Sequence, residues 1–188
     1  LSVGGLPDGC VDTDMLANDA VTASKIGAKV VVSSAFVAHK ADSAAGSDGG
    51  SLSATTWNDR TLDTEVFDPD GIVTLSSNEF TLQAGTYQLR WAATCFDVDE
   101  GNTRIYNVTD SAIVENGQPF FARDGSDAAC TAVGYGRVTI ASAKAFKLQM
   151  WCRTAQSGNG AGMTSSDQVD VGAGNNDLYD WVEIHKEA

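Results

Sequence analysis

Gly85-Thr86-Tyr87-Gln88-Leu89-Arg90-Trp91-Ala92-Ala93-Thr94-Cys95-Phe96-Asp97-Val98 is the stretch whose reading decides the fold. Alternate positions place Tyr87, Leu89, Trp91, Ala93 and Cys95 on one face. A period of two over this length is that of a β-strand with one face in a core. The same alternation returns at Val138 and Ile140, and at Phe146, Leu148, Met150 and Cys152. Near the C-terminus, Leu178, Val182 and Ile184 face one way, and Tyr179, Trp181, Glu183 and His185 the other.

Working outward, strand-like runs separated by turn residues are predicted along most of the chain. Val30–Val32 with Ala35–Ala38 reads as the first. Thr56–Phe67, Ile72–Leu75, Glu79–Leu82, Thr103–Thr109, Ala112–Glu115, Phe120–Ala122, Thr131–Ala141, Ala145–Thr154 and Leu178–His185 follow. The predicted turns are Asp68-Pro69-Asp70-Gly71, Glu100-Gly101-Asn102, Glu115-Asn116-Gly117 and Asp124-Gly125. Asn116-Gly117 is the kind of pair that a primed hairpin turn favours. About eight to ten antiparallel strands without a long helix predict an all-β, two-sheet sandwich, with a jelly roll as the leading topology.

The N-terminal region reads differently. Leu1, Leu6, Val11, Leu16, Val21, Ile26, Val31 and Phe36 recur every five residues, clearest in the ten-residue units from Val11 and Val21. This spacing fits neither a helix stripe nor strand alternation. Such a segment cannot bury its apolar residues alone and needs copies of itself or a partner. Residues 1–29 are therefore read as a slender stalk or anchoring segment, and 30–188 as the head domain. Leu16, Val21 and Ile26 are expected at a threefold contact. Tyr179 and Trp181 are expected there too, because two large aromatics on an outer sheet face need covering.

Composition bounds the function. Apolar content of 43% supports a real core, and no run is long enough for a membrane span. The chain begins at Leu1 without a methionine, as a fragment or processed product would, and shows no basic-then-apolar secretion signal. Net charge is −13, from 25 acids against 12 bases, so a trimer carries 3 × −13 = −39. That surface repels phosphates, which excludes nucleic acid as an expected partner.

Cys10, Cys95, Cys130 and Cys152 form no C-x-x-C pair, and His39 and His185 complete no zinc ligand set. Cys95 and Cys152 share parity with core residues, as reduced core cysteines or as partners in a disulfide. Asp97-Val98-Asp99-Glu100-Gly101-Asn102 offers carboxylates, but Asn102 stands where a calcium loop of the EF-hand type needs glycine. No metal or other cofactor is expected. No nucleophile elbow, zinc-protease motif or phosphate loop is present, so no catalytic residue is assigned and a non-enzymatic role is expected. His39 and His185 read as strand residues at a subunit contact. Trp151 has the parity of an outward residue. Trp151 and Trp57 are the candidate ligand-binding residues, as a stacking platform for sugar, with a subunit interface as the other reading. The Gly- and Ser-rich stretches Ser157–Asp177 and Asp42–Ser53 are the candidate recognition loops.

Trp57-Asn58-Asp59-Arg60-Thr61-Leu62-Asp63-Thr64-Glu65, Asp68–Leu75 and Arg104-Ile105-Tyr106-Asn107-Val108-Thr109 resemble the C-terminal domains of bacteriophage fibre and virion-decoration proteins. Ala20–Ile26 resembles their stalk repeats. Phe80-Thr81-Leu82-Gln83-Ala84-Gly85-Thr86-Tyr87 resembles the same phage domains and also the signature region of C1q/TNF-like jelly rolls. The resemblance implies a homotrimer with the terminal strand near the threefold axis. It also implies a place in the virion, contact with other virion proteins through the N-terminal segment, and a host surface receptor, glycan or protein. A tail fibre for host attachment is the first reading, a capsid-decoration protein the second, and a small polysaccharide depolymerase the third.

Overall fold

The computed structural model describes residues 31–42, 48–164 and 176–188. The stalk, with Cys10, Leu16, Val21 and Ile26, lies outside the described residues, as do parts of both candidate loops. The described residues form twelve strands and no helix.

One sheet pairs β10 (Ala129–Ile140), β6 (Gly85–Phe96), β12 (Asn176–Glu187), β1 (Val31–Asp42) and β3 (Thr64–Phe67), in that order. The other runs β4 (Val73–Ser76), β5 (Glu79–Leu82), β11 (Lys144–Cys152), β7 (Asp99–Asn107) and β8 (Ala112–Asn116). β2 (Trp57–Asp59) adds to β11, and β9 (Phe120–Ala122) to β7. Every pairing is antiparallel.

The alternating faces meet between the sheets. Tyr87, Leu89, Trp91, Ala93 and Cys95 of β6 are buried against Phe146, Leu148, Met150 and Cys152 of β11, with Val182 and Ile184 from β12. Burying such side chains is the main term holding a sandwich together, at about 1.5–3 kcal/mol each. Trp91 keeps its one polar atom satisfied: Nε1 donates to Thr103 Oγ1 at 3.0 Å. Its indole lies against Gly134, where an added Cβ would collide with the ring.

Asp68–Gly71 is the expected turn. Gly71 has φ +63°, and the Asp68 carboxylate accepts from the N–H groups of Ile72 and Val73. Three expectations are corrected. Thr56–Phe67 is not one strand: β2 belongs to one sheet and β3 to the other, with Arg60 at the crossover. Glu100-Gly101-Asn102 is not a turn but lies within β7. The reversal falls earlier, where Asp97 and Asp99 adopt φ of 55° and 64°. Asn116-Gly117 does not turn a hairpin either. β7 and β8 are joined through Val108–Ser111, where Asn107 Oδ1 accepts from the Asp110 N–H. Asn116-Gly117 instead carries the chain from β8 to β9, both of which pair with β7, and the Gly117 N–H donates to Thr103 O.

Candidate functional site

The outward positions of β2, β7 and β11 share the exposed face of the second sheet. Trp57 stands directly across from Trp151, and Asn102 completes the rung on the other side. The next rung holds Asp59, Gln149 and Arg104. The sequence-predicted pair is thus brought together, and Trp151 is half-buried on the outer face as its parity implied.

Arg104 organises this surface. Its guanidinium lies 3.9 Å from the Trp57 ring centroid and 4.8 Å from that of Tyr106. Its Nε donates to Gln149 Oε1 at 2.8 Å. Gln149 Nε2 in turn donates to Asp59 Oδ1, and Lys147 Nζ to Asp59 Oδ2, both at 2.7 Å. Burial pushes the Asp59 carboxyl up. The hydrogen bonds from Gln149 and Lys147, with the charges of Lys147 and Arg104, outweigh it and hold the group below its ordinary value. Lys147 is raised, first by its hydrogen bond to Asp59.

Because Arg104 covers a face of Trp57, the open aromatic surface lies on the other side of Trp151. There Trp151, Pro119, Phe120 and Phe121 line a cleft of about 350 Å³ with Glu100, Gly101 and Asn102. Phe121 is 63% exposed. It stands across from Glu100, whose Oε1 accepts from Arg153 Nη1 at 2.7 Å. Aromatic walls with a carboxylate and an amide at the rim suit a sugar ring, which offers an apolar face and hydroxyls at its edge.

The outer face of the first sheet carries an apolar band with charged residues beside it. One rung holds Val133, Ala92, Trp181, Ala38 and Thr64; the next holds Tyr135, Arg90, Glu183, Phe36 and Phe67. Trp181 stacks on Phe36 with centroids 5.7 Å apart. Phe67, Tyr135 and Val133 are exposed. His185 lies on this face, 2.9 Å from Glu183.

Tyr179 departs from expectation. Its own chain buries it, through His39 at 5.5 Å between ring centroids and through the backbone around Gly49 and Gly162. Burial raises its phenol to about 12. It needs no neighbouring copy to cover it. His39 is also inside the subunit rather than at a contact, between Asp63 and Asp180. Leu178 sits beyond a bulge and is exposed, so it does not share the core face of Val182.

The described parts of the two candidate loops pin each other. Gly49 N–H donates to Gly162 O, Ala161 N–H to Gly50 O, and Leu52 bridges Gln156. Together they close over a buried ion pair that the sequence reading missed. Arg60 Nη2 donates to Asp180 Oδ1 at 2.8 Å, and Arg60 Nε to Oδ2 at 3.1 Å. The signal was present: Asp180 shares strand parity with the core residues Val182 and Ile184, and a carboxylate there requires a cation. Cys95 and Cys130 were missed as a pair, though each sits on an alternating strand.

No family model matches the chain, and no curated protein matches its sequence. No described helix is long and apolar enough to cross a membrane. Solved structures do match. Murine APRIL is 8% identical with a TM-score of 0.52, over 82% of this chain and 98% of that one. The globular domain of zebrafish complement 1qA is 10% identical with a TM-score of 0.50, over 82% and 96%. Eiger TNF from S. frugiperda is 11% identical with a TM-score of 0.51, over 82% and 92%. At such identities the likeness speaks for the fold alone: the chain is an all-β, antiparallel jelly-roll sandwich of the C1q/TNF-like kind.

Proposed function

We propose that this chain is a non-enzymatic, homotrimeric phage virion protein whose jelly-roll head attaches to a host surface glycan. The observation that carries the reading is the apolar band of Phe67, Phe36, Trp181, Val133 and Tyr135 across the first sheet. Aromatics gathered on one sheet face favour burial against another copy, and Arg90 beside Glu183 supplies paired charges for register. The phage reading rests on the resemblance of Trp57–Glu65, Asp68–Leu75 and Arg104–Thr109 to fibre and decoration domains.

With the first sheet turned to the threefold axis, the second faces outward. Three copies of the Trp151–Phe121 cleft then act together, so weak single sites sum by multivalency. The N-terminal segment joins the head to other virion proteins. Particles carrying W151A or F121A are expected to lose most adsorption to host cells while the isolated head melts as the parent does. Unchanged adsorption by both overturns the glycan cleft. Adsorption unchanged together with loss of chain from the capsid on removal of residues 1–29 favours the decoration role instead.

A further inference from the structure

We propose that Cys95 and Cys130 are a site of covalent modification, a dithiol that small-molecule disulfides convert into an intrachain cross-strand disulfide. The two residues stand directly opposite each other in the β6–β10 ladder, and both are free thiols. Directly opposed residues of antiparallel strands have Cα atoms about 4.5–5.5 Å apart, inside the range a disulfide spans. The inward parity of both side chains aims them at each other's side of the sheet. The Cys95 thiol lies 3.5 Å from the Cys130 carbonyl oxygen.

Access and chemistry divide the roles. Cys95 is buried, whereas Cys130 is half-exposed on β10, the edge strand of its sheet. Both line a cleft of about 310 Å³ with Thr94, Thr131 and Met163. The facing Cys95 thiol lowers that of Cys130, with burial working against it, whereas the facing Cys130 thiol and burial together raise Cys95. Cys130 is therefore the attacking sulfur and Cys95 the resolving one.

The Cys130 thiolate attacks one sulfur of a disulfide RSSR, forming Cys130–S–S–R and releasing RS⁻, which takes up a proton. Cys95 then loses its proton and attacks the Cys130 sulfur, expelling the second RS⁻. Two protein thiols are oxidised to one disulfide, and RSSR is reduced to two RSH. Cys152 takes no part: it is buried on the opposite sheet, donating to the Ser53 carbonyl at 3.5 Å. Exposure to RSSR rests on the proposed virion role, in which a chain assembled in a reducing cytosol is released to an oxidising milieu where disulfides persist.

The test is to incubate the full folded chain with oxidised glutathione, block the remaining thiols, digest with trypsin without reductant and weigh the peptides. Cys95 falls in the peptide 91–104 and Cys130 in 124–137. The expected product is 91–104 joined to 124–137, with a melting midpoint that rises and returns on reduction. C95S is expected to stop at a glutathione adduct on Cys130, and C130S to form neither species. Parent protein that keeps glutathione on Cys130, links Cys10 between chains instead, or stays fully reduced overturns the proposal. The parent digest decides it even where a variant folds poorly.

Discussion

Arg60 and Asp180, 120 positions apart, form a bidentate ion pair with both side chains about 1% exposed, at the point where the chain crosses from one sheet to the other. Arg60 Nη2 also donates to the carbonyls of Ala161 at 2.6 Å and Thr94 at 3.2 Å. One guanidinium thus ties the crossover, the terminal strand, β6 and the loop that covers Tyr179.

Removing one partner leaves the other charge buried and unpaired. R60L is expected to cost about 3–5 kcal/mol in denaturant unfolding, and R60L/D180L to recover much of it. A single variant within experimental error of the parent would contradict the role given to the pair.

Trp181 and Tyr179 should separate cleanly. W181A removes half-buried surface from the proposed contact and is expected to weaken assembly by about 2–3 kcal/mol per chain, read by equilibrium sedimentation. Y179A removes a ring buried within the subunit, so its effect should appear as a lower melting midpoint. A monomeric parent at micromolar concentration would remove the self-association reading altogether.

The Asp59–Lys147 pair makes stability depend on pH at both ends. Asp59 is held below its unfolded value, so its contribution is present above about pH 4 and lost as pH falls through the lower folded value. Lys147 is raised, so its contribution is present below about pH 10.4 and lost as pH climbs through the higher folded value. The melting difference between parent and D59N should be widest between these limits and shrink outside them. A difference independent of pH would mean that the charges are not what is lost.

Gly134 is where the Trp91 indole crosses β10. G134A forces a methyl into the ring, and overpacking of this kind costs about 1–3 kcal/mol. Equilibrium unfolding of G134A checks it; a neutral result would show that Trp91 can shift aside.

Period-two alternation located Tyr87–Cys95, Phe146–Cys152 and Val182 with Ile184 in the core, because a strand's inward and outward positions are set by local geometry. Glu79–Leu82 and Phe120–Ala122 were legible to the residue. Turns were less so: Asn116-Gly117 carries a hairpin preference, yet it joins β8 to β9 without a reversal, because both strands pair with the same side of β7.

What the sequence by itself determined is therefore the class of fold and the facing of its strands, including an outward Trp151 and an outward Trp181 on the last strand. Only the tertiary structure decided which faces meet. It set Trp57 beside Trp151, laid Arg104 over Trp57, joined Arg60 to Asp180, opposed Cys95 to Cys130 and covered Tyr179 from within. The physical reason is range. Side-chain alternation is a property of neighbouring residues, whereas register between distant strands is chosen by the packing of the whole sandwich.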